Sequence, residues 1–107
     1  MKRIGMTWQV DPACWEQYRA IHLNPWPELL TTFAEHGVHN FSCFAFGTRV
    51  FAYLEIEGED VYEVLGQVAR TEVKKRWDAE VTVQVLPEAA PGAGRQFLEL
   101  ERIFYSP

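Results

Sequence analysis

Two cysteines and three histidines are all that this 107-residue chain holds of the usual soft metal ligands and thiol nucleophiles. Cys14 and Cys43 lie far apart in apolar or aromatic settings, without C-x-x-C spacing. They read as small buried hydrophobes rather than a disulfide or metal pair, which fits a reducing compartment. No apolar run approaches the roughly 20 residues that span a bilayer. The opening "MKRIGMTWQV" also lacks an apolar stretch followed by a small-residue cleavage site, so a cytoplasmic protein without a membrane partner is expected. Positive charge is short as well, 10 Lys and Arg against 15 Asp and Glu for a net charge of -5. Nucleic-acid binders draw most of their affinity from clustered cations, and DNA and RNA are set aside. Without a P-loop, a GxGxxG turn, a nucleophile elbow or a Cys–His nucleophile pair, phosphoryl transfer, dinucleotide chemistry and serine or cysteine hydrolysis lose their handles.

What the chain does hold is an ordinary globular balance, 48% hydrophobic and 23% charged. Its length allows one core and hence one domain over residues 1–107. Aromatic residues reach 14%, with four Trp, four Tyr and seven Phe. Aromatic faces suit the C–H faces of sugars and other half-apolar ligands, and they also fill ordinary cores.

Ile4, Met6, Trp8 and Val10 alternate with Arg3, Gly5, Thr7 and Gln9, the period of a half-buried strand. Asp11 can N-cap and Pro12 fits a first helical turn, so a helix runs from about Pro12 to Ile21, with Trp15, Tyr18 or Arg19, and His22 at helical spacing. Leu23-Asn24-Pro25 breaks it. Pro27 opens a second helix over Glu28 to Glu35, closed by His36-Gly37. Val38 to Phe46 reads as a strand that turns at Gly47-Thr48 into another carrying Val50, Ala52, Leu54 and Ile56. Val61, Val64, Leu65 and Val68 mark a short helix. Thr71 to Leu86 is taken as mostly helical, although "VTVQV" favours strand by propensity. "PEAAPGAG" is a loop, and "RQFLELERIFYSP" closes the chain as a strand with Leu98, Leu100 and Arg102 opposite Phe97, Glu99 and Glu101. The order βα(α)ββα(α)β makes an α+β fold, a ferredoxin-like four-stranded antiparallel sheet with helices on one face. Phe51, Tyr53, Phe97 and Ile103 are expected on the uncovered side, for which a second copy of the chain is the natural cover.

In "EQYRAIHLNPWPEL" Tyr18 and His22 fall four residues apart and so on one face of a helix. An imidazole titrates near neutrality and a phenol beside it can donate a hydrogen bond, which makes an acid–base pair, although an amphipathic helix end produces the same spacing. Two prolines hold Trp26 as a ligand wall or as a core plug. "EHGVHN" brings His36 and His39 beside Glu35, but the spacing matches no metal motif, and His36 fits as a helix-end residue. Asn40 is an amide that can bind a hydroxyl. In "KKRWDAE", Lys74 and Lys75 read as a solvated face, while Trp77 is a large apolar ring amid charge.

"MTWQVDP", "YRAIHLNPWPEL", "HGVHNF", "VKKRW" and "ERIFYSP" together resemble the L-rhamnose mutarotase family over essentially the whole chain. The resemblance implies a dimeric α/β-barrel of ferredoxin-like protomers that interconverts the α and β anomers of a deoxy-hexopyranose, and anomer exchange by proton transfer to the ring oxygen and from the anomeric hydroxyl needs no cofactor. It maps the family's proton donor to His22 and a sugar-binding tyrosine to Tyr18, with further sugar contacts at Phe41, Trp77 and Asp78. Two positions depart from the family pattern: Phe41 lacks a tyrosine hydroxyl, and Asp78 stands in place of a second tryptophan. These departures bear on which sugar is taken, L-rhamnose or a related deoxy sugar such as L-fucose, more than on the reaction.

Two other classes compete. A cofactorless oxygenase on the same dimeric barrel would consume oxygen with an aromatic substrate. A sugar-binding module would broaden the NMR lines of its ligand and leave anomer exchange unchanged.

Overall fold

The computed structural model describes residues 1–87 and 97–107. Strand β1 covers Lys2–Val10. Asp11 then caps a tight turn, its carboxylate accepting the Ala13 N–H at 3.0 Å, with Pro12 where no N–H is needed. This first turn is a 3-10 turn over Pro12–Cys14, after which α1 runs over Trp15–Leu23, two residues beyond the expected end. Trp26 is extended ahead of Pro27, as a residue before proline must be, and α2 occupies Pro27–Glu35. Gly37 leaves that helix at φ +78, a conformation an L side chain resists, and a Cβ there would meet the Glu57 side chain.

Strands β2, Val38–Phe46, and β3, Arg49–Ile56, form the expected hairpin. Its turn carries a positive φ at the first central position, Gly47, which glycine tolerates at no steric cost. Helix α3, Val61–Ala69, starts at Asp60, whose carboxylate accepts the Glu63 N–H, and α4, Glu72–Val81, starts at Thr71, whose hydroxyl accepts the Lys74 N–H.

The stretch expected to stay mostly helical through Leu86 leaves the helix at Val81. It passes through a 3-10 turn at Thr82–Gln84 into a two-residue strand β4, Val85–Leu86. The β-branched residues find partners on β1 there: Val10 opposes Val85, and the Asp11 N–H donates to the Gln84 carbonyl at 2.8 Å. Strand β5, Leu98–Leu100, continues along the same edge of β1, opposite Thr7, Met6 and Gly5. The fourth position of the sheet is thus shared by two short strands, giving five strands in the order β2-β3-β1-β4 with β5 also on β1. The loop expected over 87–94 falls, apart from Pro87, outside the described residues.

Residues paired across antiparallel strands share a face, and pairing of Leu98 with Thr7 and of Leu100 with Gly5 puts both leucines beside Phe51 and Tyr53 on the uncovered side. Phe97 packs against the core instead, which reverses its expected placement. Ile103 is exposed in the C-terminal segment beyond β5, not within a strand. The helix-covered side buries Ile4, Met6, Ala52, Leu54 and Ile56 in one cluster and Val10, Tyr18, Leu29, Val50, Val73, Trp77 and Val81 in a second, with Trp8 and Phe33 packed against both. Neither cysteine is buried: Cys14 is partly exposed and Cys43 exposed, and both are free thiols. Among the described residues no helix is long and apolar enough to cross a membrane.

Candidate active site

Between the helices and the covered side of the sheet lies a cleft of about 630 Å³, walled by Tyr18 and His22 from α1, by Trp77 and Asp78 from α4, and by Phe41 and Cys43 from β2. That volume falls in the range of small-molecule sites, and the lining is mainly apolar with a few polar groups. A larger hollow of about 950 Å³ sits between the C-terminal segment and the sheet edge. Carboxylates of Glu59, Asp60 and Glu101 and the guanidinium groups of Arg3 and Arg102 line it, and it contains no histidine. Proton chemistry near neutral pH belongs to the smaller cleft.

One turn of α1 separates Tyr18 from His22, and their rings stack with centroids 4.1 Å apart and planes 25° apart. The His22 Nδ1 lies 2.7 Å from the main-chain oxygen of Tyr18. A carbonyl oxygen only accepts, so Nδ1 carries the proton and the neutral ring keeps its bare lone pair on Nε2. Burial pulls His22 below its ordinary value, with the bond to the Tyr18 carbonyl acting the other way. Tyr18 is itself only 3% exposed. Burial raises its phenol well above the ordinary value, while a hydrogen bond from Trp8 Nε1 to the phenol oxygen, 2.7 Å long, opposes the rise. At neutral pH the pair consists of an intact phenol and a neutral imidazole.

Trp77 closes the far side of this pair, its ring edge-on to His22 at 5.2 Å. Trp26 meets Trp77 at 5.2 Å and 89° from behind and does not line the cleft. The tryptophan between two prolines is therefore a buttress for the wall rather than the wall itself. Arg76 covers its outer side, with the guanidinium 5.8 Å from the ring centroid and 3.5 Å from the Glu28 carboxylate.

Asn40 and Phe41, neighbours in sequence, end up on opposite sides of the sheet. The pairing slips between His39, opposite Glu55, and Ser42, opposite Tyr53, so two residues of β2 face one of β3. Asn40 takes the extra position at φ +51, a backbone region that asparagine enters more readily than most residues. Phe41 is thereby turned beneath the helices, edge-on to Phe33 at 5.3 Å and into the cleft. The Asn40 amide donates to the Glu55 carboxylate at 2.6 Å, on the side also occupied by Tyr53 and Arg3. The expectation that Asn40 sits among the cleft residues is corrected by this bulge.

Asp78 lines the cleft and is held by Lys74, one turn earlier on α4. Lys74, expected on a solvated face, is therefore a cleft residue. Its spacing of three from Trp77 and four from Asp78 was the available signal. Lys75 stays at the surface near Glu72. Trp8, read from sequence only as an inward strand position, carries the polar contact to Tyr18, and nothing in its alternation distinguishes it from Ile4 or Met6. His36 bonds the Thr32 carbonyl at 2.8 Å and His39 the Glu57 carboxylate at 2.8 Å. Among the described residues no three His, Cys, Asp or Glu side chains converge as a metal site.

A family model described as L-rhamnose mutarotase matches residues 3–106. The chain is 37% identical to an L-rhamnose mutarotase of Shigella flexneri serotype 5b (strain 8401) over 109 aligned residues, covering 100% of both chains. It is 36% identical to an L-rhamnose mutarotase of Escherichia coli (strain K12 / DH10B), again over 100% of both. Among solved structures it is similar to an L-rhamnose mutarotase from Formosa agariphila, with TM-score 0.77 and 21% identity, and to tetracenomycin F2 cyclase from Streptomyces glaucescens, with TM-score 0.69 and 22% identity, each over 100% of both chains. At those identities the two structures speak to the fold.

Proposed function

The chain belongs to the L-rhamnose mutarotase family, and we propose that it interconverts the α and β anomers of a 6-deoxy-hexopyranose, L-rhamnose or a close relative such as L-fucose, in the cleft of Tyr18, His22 and Trp77. The observation that carries this reading is the stacked Tyr18–His22 pair, in which one ring offers a proton and its neighbour a bare nitrogen. Anomer exchange needs a proton taken from the anomeric hydroxyl and a proton given to the ring oxygen. The ring opens to an aldehyde, the carbonyl rotates, and the C5 hydroxyl closes on the other face. Both oxygens are bonded to one carbon, so two adjacent side chains suffice. With Nδ1–H engaged, His22 first takes a proton at Nε2 and acts as the proton donor that the resemblance implies when it returns that proton as the ring recloses.

The C–O bond pair that breaks on opening re-forms on closing, no oxidation level changes and no group leaves, so the reaction balances with proton transfers alone. Positioned acid–base groups typically contribute ~10²–10⁴-fold, enough for a reaction that already proceeds in water. Trp77 offers an aromatic face for the sugar's C–H groups, and Phe41 offers an apolar surface with no hydroxyl. The Lys74–Asp78 pair supplies both donors and an acceptor to sugar hydroxyls.

We further propose a cytoplasmic homodimer joined through the uncovered side of the sheet. Phe44 and Phe46 are 65% and 84% exposed there, beside Phe51 and Leu100, a large apolar surface for a lone chain.

Saturation-transfer NMR of anomer exchange across L-rhamnose, L-fucose and common hexoses tests the reaction. Faster exchange of a 6-deoxy sugar supports it. Line broadening of the sugar with exchange at the uncatalysed rate would instead favour a binding module.

A further inference from the structure

We infer that Asn40 is a positioning residue: latched to the Glu55 carboxylate on the uncovered side of the sheet, it holds the bulge that turns Phe41 into the cleft on the other side. This role rests on the mutarotase reading of that cleft and deepens it, because it traces one wall of the sugar site to a contact that lies outside the site.

Residues an odd number apart in a regular strand point to opposite faces. Val38, opposite Ile56, and Cys43, opposite Ala52, are five apart, yet both lie on the helix-covered side. The strand meets that demand only by carrying one extra residue. With His39 opposite Glu55 and Ser42 opposite Tyr53, Asn40 and Phe41 share the single inward place opposite Leu54, and only one of them can take it. The choice decides whether an amide or an apolar ring faces the cleft.

Three side-chain bonds on the uncovered side settle it. The Asn40 amide donates to Glu55 Oε1 at 2.6 Å, the Tyr53 hydroxyl donates to Glu55 Oε2 at 2.7 Å, and the Ser42 hydroxyl donates to the Asn40 carbonyl at 3.1 Å. The bond from Asn40, then that from Tyr53 and the charge of Arg3, hold the Glu55 carboxyl below its ordinary value against the opposing effect of burial. Asn40 therefore donates to an anion at neutral pH, and charge-assisted bonds of this kind are roughly twice as strong as neutral ones. Backbone preference acts in the same direction. Asn40 sits at φ +51, which asparagine enters more readily than a bulky side chain does, so the reverse assignment with Phe41 as the extra residue is disfavoured.

Glu55 is a firm anchor for the latch. It lies on β3 between β2 and β1, opposite His39 on one side and Arg3 on the other, with the Arg3 Nε 3.5 Å from its second oxygen. On the covered side the outcome is a Phe41 ring edge-on to Phe33 of α2 at 5.3 Å and part of the cleft lining. Without the latch, Phe41 loses its claim to the inward place and the cleft loses an apolar wall.

The test uses the full chain with L-rhamnose, together with Asn40→Val, Phe41→Ala and the double variant. Valine lacks the amide and resists positive φ. Asn40→Val should raise KM for exchange by about tenfold while leaving kcat within about twofold, the pattern of lost ground-state binding. In the Phe41→Ala background the same change should move KM by less than about twofold, because the ring it positions is gone. Equal effects in both backgrounds would mean that Asn40 acts on folding or assembly as a whole, and that result overturns the inference. A second readout needs no turnover: with 4-fluorophenylalanine at position 41, the fluorine NMR resonance should shift on Asn40→Val, and an unmoved resonance overturns the inference. Should Asn40→Val fold poorly, Glu55→Ala, which removes the acceptor from the neighbouring strand, must reproduce both the KM rise and the fluorine shift; wild-type values there overturn it equally. Wild-type chain that leaves L-rhamnose, L-fucose and common hexoses at their uncatalysed rates overturns the mutarotase reading, while the fluorine shift still decides whether Asn40 positions Phe41. An active wild type with an unaffected Asn40→Val overturns the positioning role alone.

Discussion

His22 holds its Nδ1 2.7 Å from the main-chain oxygen of Tyr18, a bond made within one turn of α1. It fixes the tautomer and so leaves Nε2 as the bare nitrogen. Burial also holds the imidazole below its ordinary value of 6.5. Below that folded-state value Nε2 is protonated and no longer a base. The profile of kcat/KM against pH should therefore be flat near neutrality and fall on an acid limb centred below 6.5, which reports the free enzyme. His22→Asn should lower exchange by ~10²-fold or more and remove that limb, with an unchanged circular-dichroism spectrum. Wild-type exchange in the variant removes His22 from the mechanism. The same shift bears on stability: as pH drops below 6.5 the unfolded chain takes the proton first, so the contribution present above 6.5 is lost as pH falls through the lower folded value.

Trp26 touches Trp77 edge-on without reaching the cleft. Truncation to Ala should destabilise the fold by about 2–3 kcal/mol, somewhat below the usual range for a fully buried tryptophan because the ring is half-buried. It should also raise KM by loosening Trp77. Urea denaturation and steady-state exchange read the two effects separately. An unchanged midpoint would show that Trp77 needs no support from behind.

Phe41 and Asp78 face the same cleft from β2 and α4. Adding a hydroxyl at one and an indole at the other, Phe41→Tyr with Asp78→Trp, should shift the ratio of exchange rates toward L-rhamnose relative to L-fucose, since an unpaired buried polar group costs about 1–3 kcal/mol. Asp78→Ala alone should change stability by under about 1 kcal/mol, because the pair with Lys74 is partly exposed. Rates on both sugars decide the matter, and a constant ratio for the double variant would clear these positions of a role in specificity.

The uncovered side of the sheet should be an interface between copies. Sedimentation velocity at micromolar concentration should give a dimer, and Phe51→Glu, which places a charge beside Phe44, should give monomers. A stable wild-type monomer would rule out the interface.

Local chemistry carried much of this molecule in its sequence. Asp11, Asp60 and Thr71 cap helices by side-chain bonds that reach only two or three residues. Gly37 and Gly47 take positive φ where the chain must turn. The spacing of Tyr18 and His22 puts them on one helical face wherever that helix docks. Three other features needed the packed sheet. The bulge at Asn40 changes the phase of alternation, so a pattern counted along β2 assigns Asn40 and Phe41 to the wrong sides. The reversal at Val85–Leu86 is driven by the open edge of β1, a partner 75 residues away in sequence for the Val10–Val85 pair, and helical spacing cannot report it. Trp8 alternates like any inward strand residue; its bond to Tyr18 exists only because α1 lies across the sheet at that point, and side-chain bonds between elements are set by docking rather than by local propensity.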